Sequence, residues 1–84
     1  MHRATPQFWR HLAELPEPAQ RTARRNFLLL AENPGHPSLR FKKVGKFWSA
    51  RVGRDHRALA IRDGDDLIWV WVGSHDDYDR RIDS

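Results

Sequence analysis

The 84-residue sequence contains no cysteine. This absence excludes disulfide bonds, thiolate metal sites and catalysis by a cysteine nucleophile, and it is consistent with a reducing compartment. The sequence also lacks any apolar run close to the roughly 18–20 residues that a membrane-spanning helix needs. No apolar segment follows Met1-His2-Arg3, so a signal peptide is not expected. We therefore predict a protein of the prokaryotic cytoplasm that makes no membrane contact.

Length and charge narrow the possible functions further. A chain of this length suffices for one small domain, residues 1–84, with a thin core that leaves about a third of the unfolded surface exposed. Fifteen Lys and Arg against eleven Asp and Glu give a net charge of +4. Such a balance favours a polyanionic partner: nucleic acid, a ribosome or an acidic protein. The surplus lies before residue 63, and the segment from residue 63 onward is acidic.

Residues 47–75 carry the clearest secondary-structure signal. Runs rich in β-branched and aromatic residues are separated by turn signals at 52–55 and 63–65, the second of which reads Asp-Gly-Asp. Asp-Gly between apolar runs is typical of a β-hairpin. The pattern predicts three consecutive antiparallel strands over residues 47–53, 56–62 and 67–73.

Side chains alternate between the two faces of a strand, so the predicted sheet has two different faces. An aliphatic face, suited to a cover of helices, carries Trp48, Ala50, Val52, Ala58, Ala60, Ile68, Val70 and Val72. The opposite face, called the mixed face below, carries Phe47, Ser49, Arg51, Arg57, Leu59, Ile61, Trp69, Trp71 and, past the strand end, His75. This assignment assumes no β-bulge, since one extra residue would reverse every side chain after it.

The mixed face is expected to be solvated or covered by a partner, and its tryptophans would then form an exposed apolar contact surface. The opposite assignment, with the tryptophans in the core and the valines outside, remains open.

The first half of the chain predicts two helices. Thr5-Pro6 begins one over residues 6–14, and prolines 16 and 18 separate it from another over 18–32. Short strands are predicted at 2–4 and from about residue 39, and one or two helical turns at 76–82. This order predicts a two-layer α+β fold: an N-terminal helical hairpin packed on one face of a small antiparallel sheet, followed by a short C-terminal helical turn.

Four longer motifs stand out along the chain. They are Ala-Thr-Pro-Gln-Phe-Trp at 4–9, the segment from Asn33 to Lys42, the segment from Trp48 to Leu59, and Trp-Val-Gly-Ser-His-Asp-Asp-Tyr-Asp at 71–79. Together with the order of elements, they resemble the RelE/ParE superfamily of bacterial toxins over nearly the whole chain. The Gly-Ser-His-Asp ending is the most specific part and is similar to the RelE-type branch.

The resemblance implies a function. RelE-type members of type II toxin–antitoxin systems enter the ribosomal A site and cut mRNA there, and a cognate antitoxin holds them inactive. The resemblance places the catalytic histidine at His75, a transition-state arginine at Arg57 and one of two basic strand positions at Arg51. The other basic position falls on Ser49, which is neither a base nor a cation. Operator DNA would be bound only through the antitoxin complex.

The proposed chemistry needs no metal or other cofactor. A base must take the 2′-hydroxyl proton, cations must stabilise the phosphorane, and an acid must protonate the leaving 5′-oxygen. Because imidazole titrates near neutrality, His75 is the acid–base candidate, and Arg51 and Arg57 would hold the phosphate. Candidates for contacts with mRNA and ribosomal RNA are Arg40, Lys42, Lys43, Lys46, Trp71 and Tyr78, the last two by stacking or orienting a base. The basic residues of this set could also supply the charge missing at Ser49.

Each candidate also has a structural interpretation. His75 could cap a helix, the arginines could pair with nearby aspartates, and Tyr78 could pack the last turn on the sheet. Two other patterns are expected to be accidental: Arg51-x4-His56 spans a hairpin turn, and the His-x-Asp-x-Asp pattern at 75–79 would spread its side chains around a helix, so no metal site is predicted.

Two other functions remain open. ParE-type relatives share the fold but inhibit DNA gyrase and lack the nuclease residues, so His75 would be dispensable. A decayed toxin would act only as an antitoxin-binding module, as the serine at a basic position allows.

Overall fold

The computed structural model describes residues 1–82, which form a five-stranded sheet and three α-helices. Their bounds are β1 His2–Ala4, α1 Pro6–Ala13, α2 Glu17–Glu32, β2 Lys42–Val44, β3 Phe47–Val52, β4 His56–Asp63, β5 Asp66–Ser74 and α3 His75–Ile82. The predicted fold class is confirmed, and the predicted helices and the strands of the 47–75 region lie within a residue or two of these bounds. Within the described residues, none of the helices is long and apolar enough to span a membrane.

The strands lie in the order β1-β5-β4-β3-β2. Neighbours from β2 to β5 run antiparallel, whereas β1 runs parallel to β5, with His2 opposite Leu67 and Ala4 opposite Trp69. Parallel neighbours need a long crossover connection, and here the helical hairpin together with strands β2 to β4 forms the connection between β1 and β5. The sequence predicted the edge strand but not its direction.

The helical hairpin packs on the aliphatic face. Thr5 accepts a hydrogen bond at its Oγ1 from the Phe8 backbone N–H at 3.1 Å, which caps α1. Gln20 fixes the connection between the two helices by donating to the Leu15 carbonyl at 2.8 Å. The resulting core contains Phe8, Leu12, Ala23, Leu30, Ala50, Val52, Ala58, Ala60, Trp69 and Val72.

A β-bulge in β5 corrects the predicted faces. Leu59 lies opposite Trp71, but the next residue of β4, Ala60, lies opposite Trp69, which leaves Val70 as the extra residue. The bulge therefore places Trp69 in the aliphatic-face core and leaves Trp71 on the mixed face. The prediction that both tryptophans share the mixed face is wrong, because one inserted residue reverses the alternation.

The predicted strand start near residue 39 is also wrong. Residues Pro37–Leu39 form a 3₁₀ turn, and Arg40 adopts a left-handed conformation with φ 44° before β2 begins at Lys42. Leu39 is fully buried in the aliphatic-face core, so the turn is anchored by its side chain. Polar and apolar residues do alternate in this segment, but the buried Leu39 belongs to the 3₁₀ turn and not to a strand.

The mixed face is not fully exposed, because α3 folds back over it. Tyr78 of α3 packs with Leu59 and Trp71, and Ile82 lies beside the same cluster. Trp71 and Tyr78 are 4% and 5% exposed. The predicted exposed tryptophan surface is therefore wrong: Trp69 lies under the helical hairpin and Trp71 lies under α3.

Candidate functional site

Two arginines face each other on the mixed face. Arg51 of β3 and Arg57 of β4 are directly opposite in the antiparallel register. Like charges in this position repel, yet within residues 1–82 neither arginine forms an ion pair with an acidic side chain. The alternative interpretation, in which nearby aspartates neutralise them, is therefore wrong. Their paired charge leaves a place where an anion would be stabilised.

Arg57 is held by contacts on both sides of its guanidinium. Its Nη1 donates to the Ser49 Oγ at 3.0 Å, and its Cζ lies 5.0 Å from the centroid of the Tyr78 ring. The cation–π contact and the hydrogen bond fix the side chain within the mixed face. Arg51 turns along its own strand, and its Nε donates to the Gly53 carbonyl at 2.9 Å.

Ser49 of β3 is the buried residue to which Arg57 is bonded. It has no exposed surface, and its hydroxyl accepts the hydrogen bond from Arg57. The position that the resemblance reserves for a basic residue is therefore occupied by a buried polar anchor. The sequence identified the substitution but not this role, which depends on the direction of a long side chain from the neighbouring strand.

Trp71 and Tyr78 form an apolar cluster with Leu59 on the mixed face, and Arg57 packs against the Tyr78 ring. The Trp71 ring lies across Gly73, where a Cβ atom would collide with the indole, and Arg81 lies 4.8 Å over the same ring. Tyr78 is covered by Arg57 and by the sheet. Both rings are almost fully buried, so neither offers a stacking surface in this arrangement, and their contact with RNA bases stays a prediction. The alternative interpretation of Tyr78, packing of the last helix on the sheet, is the one observed.

His75 lies at the first position of α3, and its ring lies beside the same Tyr78 ring that Arg57 covers. Its side chain is 53% exposed, its Nδ1 is 3.4 Å from an Asp79 carboxylate oxygen, and its ring centroid is 6.0 Å from that of Tyr78. The backbone N–H of His75 donates to the Asp55 carbonyl at 2.9 Å, which fixes the helix start against the β3–β4 turn. The capping side chain is Ser74, whose Oγ accepts from the Asp77 N–H, so the His75 imidazole does not cap the helix.

The surrounding basic residues separate into two groups. Lys42 lies directly opposite Ser49 and so belongs to the mixed face, whereas Lys43 lies opposite Trp48 on the aliphatic face. Lys46 lies in the β2–β3 turn, with its Nζ 5.4 Å from the centre of the Phe47 ring. Arg40 is exposed ahead of β2. Of the four, only Lys42 is placed by strand register on the same face as Arg51 and Arg57.

The acidic side chains of α3 are engaged within the helix. A hydrogen bond from Arg80, with further contributions from Ser74 and the neighbouring arginine charges, lowers the pKa of Asp77 below its ordinary value. Among the described residues, His, Asp and Glu side chains form no group of three that could hold a metal ion. Arg51 and His56 point to opposite faces, since His56 lies opposite Val52, so the Arg-x4-His pattern forms no site.

The fold has known structural counterparts. It matches a chain of the RelB–RelE antitoxin–toxin complex of Methanococcus jannaschii with a TM-score of 0.73 and 18% identity, over 93% of this chain and 96% of that one. It matches YafQ of Escherichia coli with a TM-score of 0.68 and 13% identity over the same shares. A YoeB/ParE toxin of Agrobacterium tumefaciens matches with a TM-score of 0.66 and 13% identity, over 88% and 96%.

Sequence comparison identifies the family. No curated protein matches the sequence closely, but the family model of the ParE-like toxin domain matches residues 18–80, from the second helix to the last. The matched segment contains strands β2 to β5, the two opposed arginines and His75. The chain therefore belongs to the ParE-like toxin domain family.

Proposed function

We propose that the protein is a metal-independent endoribonuclease that cuts mRNA in the ribosomal A site and so inhibits translation. The observation that carries this proposal is the pair of arginines without acidic partners, Arg51 and Arg57, together with the half-exposed imidazole of His75, which lies beside the same Tyr78 ring as Arg57. Two cations and an imidazole that can transfer protons are the elements that RNA transesterification requires.

In the proposed reaction the scissile phosphate lies over Arg57 and Arg51. His75 transfers the proton of the 2′-hydroxyl, and the freed 2′-oxygen forms a bond to phosphorus. The bond from phosphorus to the 5′-oxygen breaks, and the leaving oxygen receives the proton, so a cyclic phosphate and a 5′-hydroxyl result. The guanidiniums stabilise the charge that develops on the non-bridging oxygens, while Tyr78 orients Arg57.

We further propose that a cognate antitoxin neutralises the toxin in the cytoplasm and that operator DNA is bound only through this complex. Support comes from the structural counterparts that were solved as antitoxin–toxin complexes in Methanococcus jannaschii and Pyrococcus horikoshii. The antitoxin could bind the apolar groove between α1 and α2, where Trp9 is half-exposed at the rim. This groove lies on the helical side of the sheet, opposite the mixed face.

Primer extension on mRNA from cells that express the chain tests the nuclease proposal. We expect translation-dependent cuts between the second and third codon positions. The variants His75→Ala and Arg57→Ala should relieve growth arrest while circular dichroism remains native. Arg54→Ala in the exposed β3–β4 turn removes the same charge as the arginine variant and should stay toxic. Intact mRNA, or full toxicity of both site variants, would overturn the proposal.

A second candidate function is inhibition of DNA gyrase without cleavage of RNA. The match to a ParE-like family model favours it. In this case growth arrest would come with DNA damage, mRNA would remain intact, and His75→Ala would be as toxic as the wild type. A chain that neither cuts RNA nor damages DNA, but binds an antitoxin, would instead be a non-catalytic binding module.

A further inference from the structure

We propose that Lys42 of β2 supplies the cation that Ser49 of β3 lacks, by binding the scissile phosphate over Ser49. This inference rests on the proposed nuclease function and assigns one further catalytic residue to it. It moves a required positive charge from one strand to its neighbour while keeping the charge on the same face of the sheet.

Strand register provides the first step. Lys42 and Ser49 are directly opposite in the antiparallel β2–β3 pair, and opposite residues project from the same face with Cβ atoms about 4.5–5.5 Å apart. Gly45 adopts φ 61° in the turn that follows β2, and Val44 lies opposite Phe47, so a two-residue turn fixes this register. The lysine is therefore tied to the Ser49 position by the backbone.

The second step is the convergence of charge on Ser49 from two directions. Arg57 reaches it from β4 and donates to its hydroxyl at 3.0 Å. Lys42 adjoins it from β2, and Arg51 is two residues further along β3, within the diagonal reach of long side chains. A phosphate over the buried serine would be bordered by an ammonium on one side and guanidiniums on the other.

The third step is that Lys42 has no competing role within the described part of the chain. Its side chain is exposed and forms no ion pair, hydrogen bond or ring contact with residues 1–82. A lysine ammonium is a compact charge with three rotatable donors on a flexible stem, so it can follow a phosphate oxygen as its charge grows. The serine hydroxyl, already bonded to Arg57, adds no charge.

The neighbouring lysine provides a matched control. Lys43 is on the same short strand and is also exposed, but it lies opposite Trp48 and projects from the aliphatic face. Replacement of either lysine by glutamine removes one positive charge from nearly the same place in sequence. General electrostatic attraction for RNA therefore changes equally in the two variants, and only the face differs.

The test measures mRNA cleavage by purified Lys42→Gln, Lys43→Gln and Lys42→Arg on programmed ribosomes, over a range of ribosome concentrations. We expect Lys42→Gln to lower the cleavage rate at saturating ribosomes by about 10- to 100-fold, somewhat less than the loss of a fully enclosed transition-state donor. Lys43→Gln should weaken ribosome binding about as much as Lys42→Gln does but lower the saturated rate far less, and Lys42→Arg should retain most of the activity because it keeps the charge.

Equal saturated rates for the two glutamine variants would overturn the role of Lys42 and leave the nuclease proposal standing. So would a Lys42→Gln defect that appears only at low ribosome concentration, since it would reflect binding alone. A wild-type protein that cuts no mRNA would overturn both proposals. Both lysines are exposed, and thermal denaturation of the variants confirms that each is compared in its folded state.

Discussion

The hydrogen bond between His2 and Trp69 makes a quantitative prediction about stability. Trp69 is 2% exposed, and its indole Nε1 donates to the His2 Nδ1 at 3.2 Å. The His2 ring also stacks beside the indole at 6.2 Å and meets the Phe27 ring edge-on at 5.7 Å. This contact, called the latch below, joins β1 to β5 and to α2.

The informative variant is His2→Phe, which keeps a ring against Phe27 and Trp69 but removes the acceptor. The buried indole N–H then has no partner, and an unsatisfied buried donor costs about 1–3 kcal/mol. For a domain of this size, a loss of 1 kcal/mol lowers the melting temperature by about 4–8 °C. We therefore expect the free energy of unfolding in urea to fall by about 1–3 kcal/mol.

A double-mutant cycle separates this bond from other effects of the substitution. Trp69→Phe removes the donor, so the step from His2 to Phe should cost much less in that background than in the wild type. A coupling energy of about 1 kcal/mol or more is expected. A coupling energy near zero, with each single variant destabilised independently, would refute the assignment of the cost to the hydrogen bond.

The latch also makes stability depend on pH. Burial, and secondarily the charge of the N-terminus, lower the pKa of His2 below its ordinary value of 6.5. As pH falls through 6.5, His2 of the unfolded chain binds a proton while His2 of the folded chain does not. The free energy of unfolding therefore decreases with falling pH until the folded-state pKa is passed, below which the His2 contribution no longer changes. The stability advantage of the wild type over His2→Phe should therefore shrink on acidification from pH 7.5 to 5. A constant difference over this range would contradict the lowered pKa.

Three further predictions concern the mixed face. Arg57→Met should cost about 1–3 kcal/mol of unfolding free energy, because it leaves the buried Ser49 hydroxyl without its donor, and much less in a Ser49→Ala background; equal costs in urea denaturation would argue against this pairing. Gly73→Ala should lower the free energy of unfolding by about 1–3 kcal/mol and alter tryptophan fluorescence, because the new methyl group displaces the Trp71 ring. The control is Gly35→Ala, whose new methyl group meets only an ordinary contact at 3.7 Å and should leave the fluorescence unchanged. Because the pKa of Asp77 is lowered chiefly by its bond from Arg80, α3 should lose stability as pH falls through that lowered pKa; Asp77→Asn should remove the dependence seen in NMR shifts of α3.

Local chemistry was enough to predict most elements of the fold, but not the 3₁₀ turn at Pro37–Leu39. Thr5 and the following proline define the start of α1, and the Asp-Gly turn defines the β4–β5 hairpin. The direction of β1 could not be predicted in this way, since a three-residue strand has no local signal for its partner. Its parallel pairing depends on contacts with residues more than sixty positions away.

The bulge at Val70 shows where alternation fails as a guide. The run from Ile68 to Val72 is apolar at every position, so both registers bury similar surface and the sequence does not distinguish them. Packing decides, because the core beneath the helical hairpin accommodates the Trp69 indole and His2 accepts its N–H. Tyr78 and Ile82, four residues apart in α3, were a usable signal that this helix has an apolar stripe to bury.

The candidate site was predictable in its composition and less so in its geometry. Strand alternation and the hairpin turn placed Arg51 and Arg57 on one face, as observed. The sequence could not show that Arg57 bonds to Ser49, because the partners of a long side chain depend on tertiary distances. The glycine turn at residue 45 was a usable sequence signal for the pairing of Lys42 with Ser49, because a two-residue turn sets the register of the hairpin.

The latch between β1 and β5 has a consequence for the order of folding. The hairpins from β2 to β5 join neighbours in sequence, whereas His2 and Trp69 are 67 residues apart, so their contact closes a loop that includes both helices. Contacts of such separation are costly to form early, and we expect this one to form after the folding transition state. Weakening it should then speed unfolding while leaving the folding rate almost unchanged. The edge strand would thus set how long the folded toxin persists, independently of how quickly it forms.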